Sequence, residues 1–304
     1  MSTVIKQESS TYMSVHQAAS YLQLNEKKIY ALVSEGKIPA TKVTGKWMFP
    51  RELVDQWIVN SAHGGVLTDR LIISGSDDPL LYRVIIEFAQ EIGAHALISY
   101  TPTGTRLGLD LLHAHHVDAC CIHWGPSAES KTRHPALIRQ YNQHRKWVLI
   151  RAFHREQGLI VSQDAFKQAK KTDSLFDTQH RWAIRQSGAG AQRFLNEILS
   201  RQHLNCSHLN TTVTALSDRD AASAIAMGKA DVAPGARSAA QEYGLKFISY
   251  GWETFDFTLP RDIWFRRLFQ DMIARLKSSQ CQKIAEELGG YDLSDSGTLV
   301  WGDQ

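Results

Sequence analysis

Three short loops rich in hydroxyls and glycine hold the residues most suited to chemistry. Ser74-Gly-Ser76-Asp-Asp-Pro79 follows the apolar run Leu71–Ile73, Thr101-Pro-Thr103-Gly-Thr105 follows Ala96–Tyr100, and Arg185-Gln-Ser187-Gly-Ala-Gly190 follows Trp182–Ile184. Each loop runs into a stretch with helical periodicity. Hydroxyls and bare backbone N–H groups at a helix N-terminus stabilise negative charge, because the first-turn amides lack intrahelical acceptors and the dipole is positive there. Three such loops in succession predict an anion-binding cleft with Ser76, Thr103, Thr105 and Ser187 as side-chain donors and Gly188, Ala189 and Gly190 as backbone donors. The loops hold no lysine and the chain lacks GxxxxGK[ST], so a nucleotide P-loop is not expected.

Other constellations predict less. His113, His115, His116 and His123 lie close in sequence to Cys120 and Cys121, and zinc sites draw on these residue types. The histidines of HAHH end a helix, however, and adjacent cysteines on a strand face opposite sides, so no metal site is expected. A GxSxG elbow is absent. Adjacent carboxylates at Asp77 and Asp78 are poorly placed for paired acid–base work, and Asp78 is expected instead to cap the helix opening at Pro79. No catalytic residue is expected. The pairs Lys170-Lys171 and Arg266-Arg267 read as solvated surface.

The elements that position these loops alternate. After the strands and helices already named come an apolar strand at Val117–Ile122 leading into His123-Trp-Gly-Pro126, a helix over Asp218–Met227 and a short strand at Asp231–Ala233. Such alternation predicts an α/β fold with a mostly parallel sheet, in which ligands bind at the carboxyl ends of strands.

The N-terminal segment has a different pattern. Ser14-Val-His-Gln17 fits a capping box, with Val15, Ala18, Ala19 and Leu22 on one face of the helix that follows. Asn25 can cap a second helix with Ile29, Leu32 and Val33 inward and Gly36 as its stop. Two short helices and a tight turn predict a helix-turn-helix. Val43, Trp47 and Phe49 around Thr44-Gly45 predict a wing hairpin, and Leu53, Trp57 and Ile58 the buried stripe of a third helix. The outward residues of the second helix, Lys27, Lys28 and Tyr30 beside Glu26, are expected to enter the major groove of DNA, with Lys46 of the wing on phosphate.

The segment SVHQAASYLQLNEKKIYALVSEGKIPATKVTGKW resembles the excisionase/MerR-type DNA-binding family. That family often has Arg after the wing Trp, where this chain has Met48. The rest resembles the periplasmic-binding-protein-like domain fused to such heads in bacterial regulators, whose well-known relatives bind molybdate and tungstate. The stretches that carry the likeness are SGSDDPLL, TGTRLGLDLL, REQGLIV, RQSGAGAQR, SDRDAASAIAMGKADVAPG and LGGYDLSDSG. The resemblance implies a type II domain of two α/β lobes, joined by crossing strands near Trp147–Phe153 and Phe247–Leu259 and completed by a C-terminal segment with a helix from Arg261 to Lys277. It also implies a ligand between the lobes, against Ser76, Thr103 or Thr105, His123, Arg185 and the Ser187–Ala191 loop. Where the family's glycine loop usually reads GSGTR, this chain has Gly188-Ala189-Gly190-Ala191-Gln192, which leaves the backbone donors but fewer side-chain ones.

The expected organisation is a head over 1–60, a linker over 61–69 whose start is marked by the glycine-bearing stretch Asn60–Gly65, and a sensing domain over 70–304. Lobe I covers about 70–150 and 255–304, and lobe II about 151–254. A formal charge of +3 permits nucleic acid without requiring it, and neither a signal peptide nor an apolar span is visible, so a cytoplasmic protein is expected. The expected function is that of a ligand-responsive transcription regulator, and its expected partners are a DNA operator, a small anion (a molybdate- or tungstate-like oxyanion is favoured) or a small organic ligand, and a second copy of the chain, with no cofactor other than such a bound oxyanion. A different class, a cofactor-insertion accessory or an enzyme that uses the head to bind protein, stays open at this point.

Overall fold

The computed structural model describes residues 11–62, 70–169 and 172–302. Most of the expected linker, from residue 63 to 69, and the pair Lys170-Lys171 lie outside the described residues. The chain forms two compact units, Met1–Asp69 and Arg70–Gln304.

In the first unit, strand β1 (Tyr12–Met13) precedes helices α1 (Val15–Tyr21) and α2 (Glu26–Ser34), the hairpin β2 (Thr41–Val43) and β3 (Lys46–Pro50), and helix α3 (Arg51–Ala62). Both caps form: the Ser14 and Gln17 side chains exchange bonds with each other's backbone N–H, and the Asn25 side chain accepts from Lys28 N at 2.7 Å. The sheet order is β1-β3-β2, so two residues ahead of the first cap add a strand that the sequence pattern does not reveal. Ala18, Ala19, Ile29, Phe49 and Val54 fill the core. The stripe expected on α3 is shifted: Val54 is fully buried and Trp57 half-buried, whereas Leu53 is 48% and Ile58 37% exposed.

The second unit runs β4 (Arg70–Gly75), α4 (Pro79–Ile92), β5 (Leu97–Pro102), α5 (Thr105–His113), β6 (Ala119–Ile122), α6 (Ser130–Ile138), β7 (Trp147–Val161), α7 (Gln163–Gln168), β8 (Arg181–Arg185), α8 (Gly190–Arg201), β9 (Asn210–Ala215), α9 (Asp218–Ala226), β10 (Val232–Ala236), α10 (Arg237–Glu242) and β11 (Lys246–Pro260). It closes with α11 (Arg261–Trp264), α12 (Arg267–Leu276), α13 (Ser279–Leu288), β12 (Tyr291–Asp292) and β13 (Leu299–Trp301). The strand order is β5-β4-β6-β11-β7-β10-β8-β9, with β12 and β13 also on β7.

The 15-residue strands β7 and β11 make the two lobes. At about 3.3 Å per residue such a strand outreaches a single lobe. β11 pairs with β6 at Asp256–Thr258, and β7 pairs with β10 at Gln157–Val161, so each strand serves both halves. Between these stretches, His154, Arg155 and Glu156 face Thr254, Glu253 and Trp252 across the ladder. Each half is covered by helices on both faces: α4, α12 and α13 on one side of the first and α5 and α6 on the other, with α7 and α8, then α9 and α10, on the second.

The helix expected over Arg261–Lys277 is broken into α11 and α12. Arg266 is extended at the break, and its guanidinium donates to the Arg70 carbonyl at 2.8 Å and faces Asp118. Arg266 is therefore a tie to the start of β4 rather than solvated surface, while Arg267 stays exposed. Cys120 packs with Leu109 and Leu112 and Cys121 with Leu71 and Ile73, on opposite faces of β6.

Candidate functional site

In the first unit, Lys27, Lys28 and Tyr30 are exposed on α2, and Lys46 is exposed at the base of the wing turn. Glu26 is turned aside onto the His16 ring at 2.8 Å, which leaves the two lysines as the charge of this face. The wing turn is left-handed at Thr44 (φ 47°) and Gly45 (φ 83°), the conformation a two-residue hairpin requires. Residues 11–62 hold six Lys and Arg against four Asp and Glu.

In the second unit the loops after β4, β5, β6 and β8 meet. Ser76 and Thr105 are buried and share a hydrogen bond of 2.8 Å between their hydroxyls. The Ser76 amide donates to the Cys121 carbonyl at 2.9 Å, and the Tyr100 hydroxyl donates to the Ser76 carbonyl. Thr103 turns back to Ser74 at 2.7 Å, away from this pair. Facing them from lobe II is the α8 loop. A Cβ on Gly104 would lie 3.0 Å from the Gln186 amide nitrogen, and one on Gly188 (φ 85°) 2.7 Å from Arg106 Cβ. Helices α5 and α8 both start in this contact without a side-chain cap, so their first-turn amides have no side chain to accept from them.

His123 stands between the lobes, 4% exposed. Its Nδ1 lies 3.3 Å from Arg155 Nη2. A guanidinium only donates, so Nδ1 accepts and the proton sits on Nε2. That buried N–H has no partner and is directed at Gly190. Burial, helped by the Arg155 charge, holds the imidazole pKa well below its ordinary value and keeps the ring neutral. The loop that carries it is pinned by His134, whose Nδ1 donates to Asp256 at 2.6 Å and whose Nε2 accepts from Trp124 N at 3.0 Å.

Beneath the loops is a cluster of buried charge. Arg155 bonds to Glu253 Oε1 at 2.8 Å and Asp78 Oδ2 at 3.0 Å, and lies 3.6 Å from Asp218. Arg185 donates to Asp218 and to the Ala215 and Leu216 carbonyls, so its guanidinium is held within lobe II. Asp78 caps α4 through Leu81 N at 3.0 Å and accepts from the Tyr291 hydroxyl, which gives the C-terminal GGYD stretch its place. Three carboxylates (Asp78, Asp218 and Glu253) thus share two guanidiniums, while the Asp77 carboxylate pairs with neither. Burial and the nearby Asp218 raise Asp77 to about 6, and burial raises Glu253 to about 7 against the pull of Arg155. Asp77 Oδ2 and Glu253 Oε2 are buried without partners.

The structure therefore brings together Ser76, Thr105, His123, Ala189 and Gly190. Gly188 packs beside them on Arg106, while Thr103 and Arg185 serve their own lobes. Ser187 is exposed and lines an outer groove of lobe II with Gln192, Asn196 and Cys206. Asp77, Arg155, Asp218 and Glu253 are absent from the residues the sequence singles out as ligand contacts. The signal for Arg155 was a charge midway along the largely apolar stretch Trp147–Val161. Trp124 and His123 are not free stacking surfaces: the Arg133 and Arg193 guanidiniums lie 4.9 and 5.0 Å from the Trp124 ring centre, and His123 stacks on Phe255. Among the described residues no group of three or more His, Cys, Asp or Glu could hold a metal ion.

A model of the PBP superfamily domain matches residues 87–277, well over half of the chain, and a helix-turn-helix domain model matches residues 12–60. No curated protein matches by sequence. Among solved structures, one described as a phosphate ABC transporter substrate-binding protein with bound phosphate, from Clostridium perfringens, is 10% identical. It aligns over 72% of this chain and 98% of its own, with a TM-score of 0.51. A mutant OxyR from Corynebacterium glutamicum is 12% identical, covering 90% of this chain and 89% of its own, with a TM-score of 0.50. At such identities the likeness is one of fold.

Proposed function

Because this chain belongs to the PBP superfamily and carries a helix-turn-helix domain at its N-terminus, we propose that it is a ligand-responsive transcription regulator. In this reading it works without catalysis, in the cytoplasm, as a homodimer on an operator. One small head buries little DNA surface, and a second copy supplies the missing specificity. Lys27, Lys28 and Tyr30 read the groove and Lys46 holds phosphate. The second unit binds a small anion between its lobes, at Ser76, Thr105, His123 and the Ala189–Gly190 start of α8.

The observation that carries the ligand reading is the meeting, from opposite lobes, of two uncapped helix N-termini with the orphaned His123 N–H. Each group is a donor without an acceptor, and an anion supplies the acceptor. The orphaned Asp77 oxygen adds a condition, because it needs a hydrogen from the ligand. An anion that also bears a proton, such as hydrogenphosphate or a hydroxycarboxylate, satisfies both demands. Molybdate and tungstate satisfy only the first. Lobe closure over the anion influences the heads only if the two lobe arrangements bind it with different affinity.

Calorimetric titration with molybdate, tungstate, sulfate, hydrogenphosphate and lactate tests the ligand reading. Saturable heat with at least one supports it, and strongest binding by a proton-bearing anion supports the role of Asp77. Absence of heat and of thermal stabilisation with all five sinks it.

A further inference from the structure

A cavity of about 100 Å³ opens between the Gly125-Pro126 turn, α8 and β11, and none of the residues proposed for the anion lines it. Two of its walls carry unmet polar atoms. Gln157 Nε2 and Glu253 Oε2 are buried with no hydrogen-bond partner, on side chains 4% and 1% exposed. They sit on one face of the β7–β11 ladder, since Glu253 pairs with Arg155 and Gln157 lies two residues beyond it. A buried donor and a buried acceptor left unmade are both costly. The remaining wall is part aromatic and part charged: Phe194 and Tyr250 meet edge to face with ring centres 5.6 Å apart, Trp252 also lines the cavity, and α8 adds Glu197 with Arg201.

We propose that this cavity is a second ligand site, for a small organic amine that also bears an acceptor oxygen, of the amino-alcohol or amino-acid class. The ammonium group donates to Glu253 Oε2, the oxygen accepts from Gln157 Nε2, and the carbon skeleton lies on Phe194, Tyr250 and Trp252, whose ring faces favour a neighbouring cation. Burial raises Glu253 to about 7, so an arriving ammonium also helps to hold the carboxylate ionised. The other oxygen of Glu253 holds Arg155, which in turn holds Asp78 and contacts His123, so occupancy here is linked to the anion site through one guanidinium.

The test is calorimetry and thermal-shift measurement on the full chain with ethanolamine, L-alanine and L-valine, and with propionate as a probe that lacks the amine. Gln157→Leu removes the donor, and Tyr250→Ala opens the partly exposed aromatic wall without touching the core. The expected result is saturable binding of at least one amine probe, weakened tenfold or more by each variant, with melting temperatures of the unliganded variants within a few degrees of the parent. The proposal is overturned if none of the three amine probes binds, if binding survives both variants, or if propionate binds as tightly as the amines.

Discussion

A Cβ placed on Gly190 would lie 2.2 Å from His123 Nε2, so the first residue of a lobe II helix and a side chain of lobe I are in direct backbone-to-ring contact. Only glycine permits this approach. Gly190→Val is expected to hold the lobes apart and abolish anion binding in calorimetry, while the head keeps its DNA affinity. Gly188→Val, at a left-handed backbone position against Arg106, is expected to weaken the anion at least tenfold. Full anion affinity in both variants would place the site elsewhere.

The buried carboxylates give stability a particular dependence on pH. Asp77 rises from 3.8 to about 6 in the folded chain, so between about pH 4 and 6 the folded state keeps a proton that the unfolded state has released. Stability contributed by this group is full below pH 4, falls as pH rises through that window and is flat above it. The change, about two pH units, corresponds to about 3 kcal/mol. Asp77→Asn is expected to remove this decline, so the difference in unfolding free energy between variant and parent grows by about that amount from pH 4 to pH 8. Parallel urea or thermal unfolding across that range checks it, and a constant difference would contradict it.

Arg155 bonds to two buried carboxylates and stands near a third. Arg155→Met leaves Asp78, Glu253 and Asp218 short of a counter-charge, and breaking a buried pair in this way costs roughly 3–5 kcal/mol. For a domain of this size the melting temperature is expected to fall by about 10 °C. The deficit should narrow as the pH is lowered toward 5, where the orphaned carboxylates can take up protons, and calorimetric melting at two pH values reads both effects.

On the DNA side, Lys27→Ala with Lys28→Ala is expected to weaken operator binding at least tenfold at low salt. In this reading the two charges lie in the groove between the phosphate strands, so the slope of log affinity against log salt is expected to become shallower as well. Anion binding should be untouched. If operator affinity and salt slope are both unchanged, α2 is not the recognition element.

Much of the frame was legible because local rules decide it. Ser14, Asn25 and Asp78 announce their helices, and the alternation of apolar strands with helical stretches announces the lobes. The candidate site was only half legible. Ser76, Thr105 and Gly190 could be found as loop residues before helices, but their meeting depends on the β7–β11 crossing, which brings together positions far apart in sequence. The charge cluster was hidden for the same reason: Asp78 and Arg155 become partners only through the fold, and Arg185, an attractive ligand contact in sequence, is held by Asp218 once α9 is in place. Leu53 and Ile58 show the converse. Their apolar character suggested burial, yet both stay exposed among the described residues of the small first unit.

The most direct measurement is binding of the full chain to the DNA upstream of its own gene, followed by fluorescence anisotropy over a salt series with and without hydrogenphosphate, lactate, molybdate and tungstate. A ligand-responsive regulator predicts affinity that falls steeply with salt and a dissociation constant shifted at least fivefold by an anion that also titrates calorimetrically. DNA binding that is absent, or that no such anion moves, would contradict it.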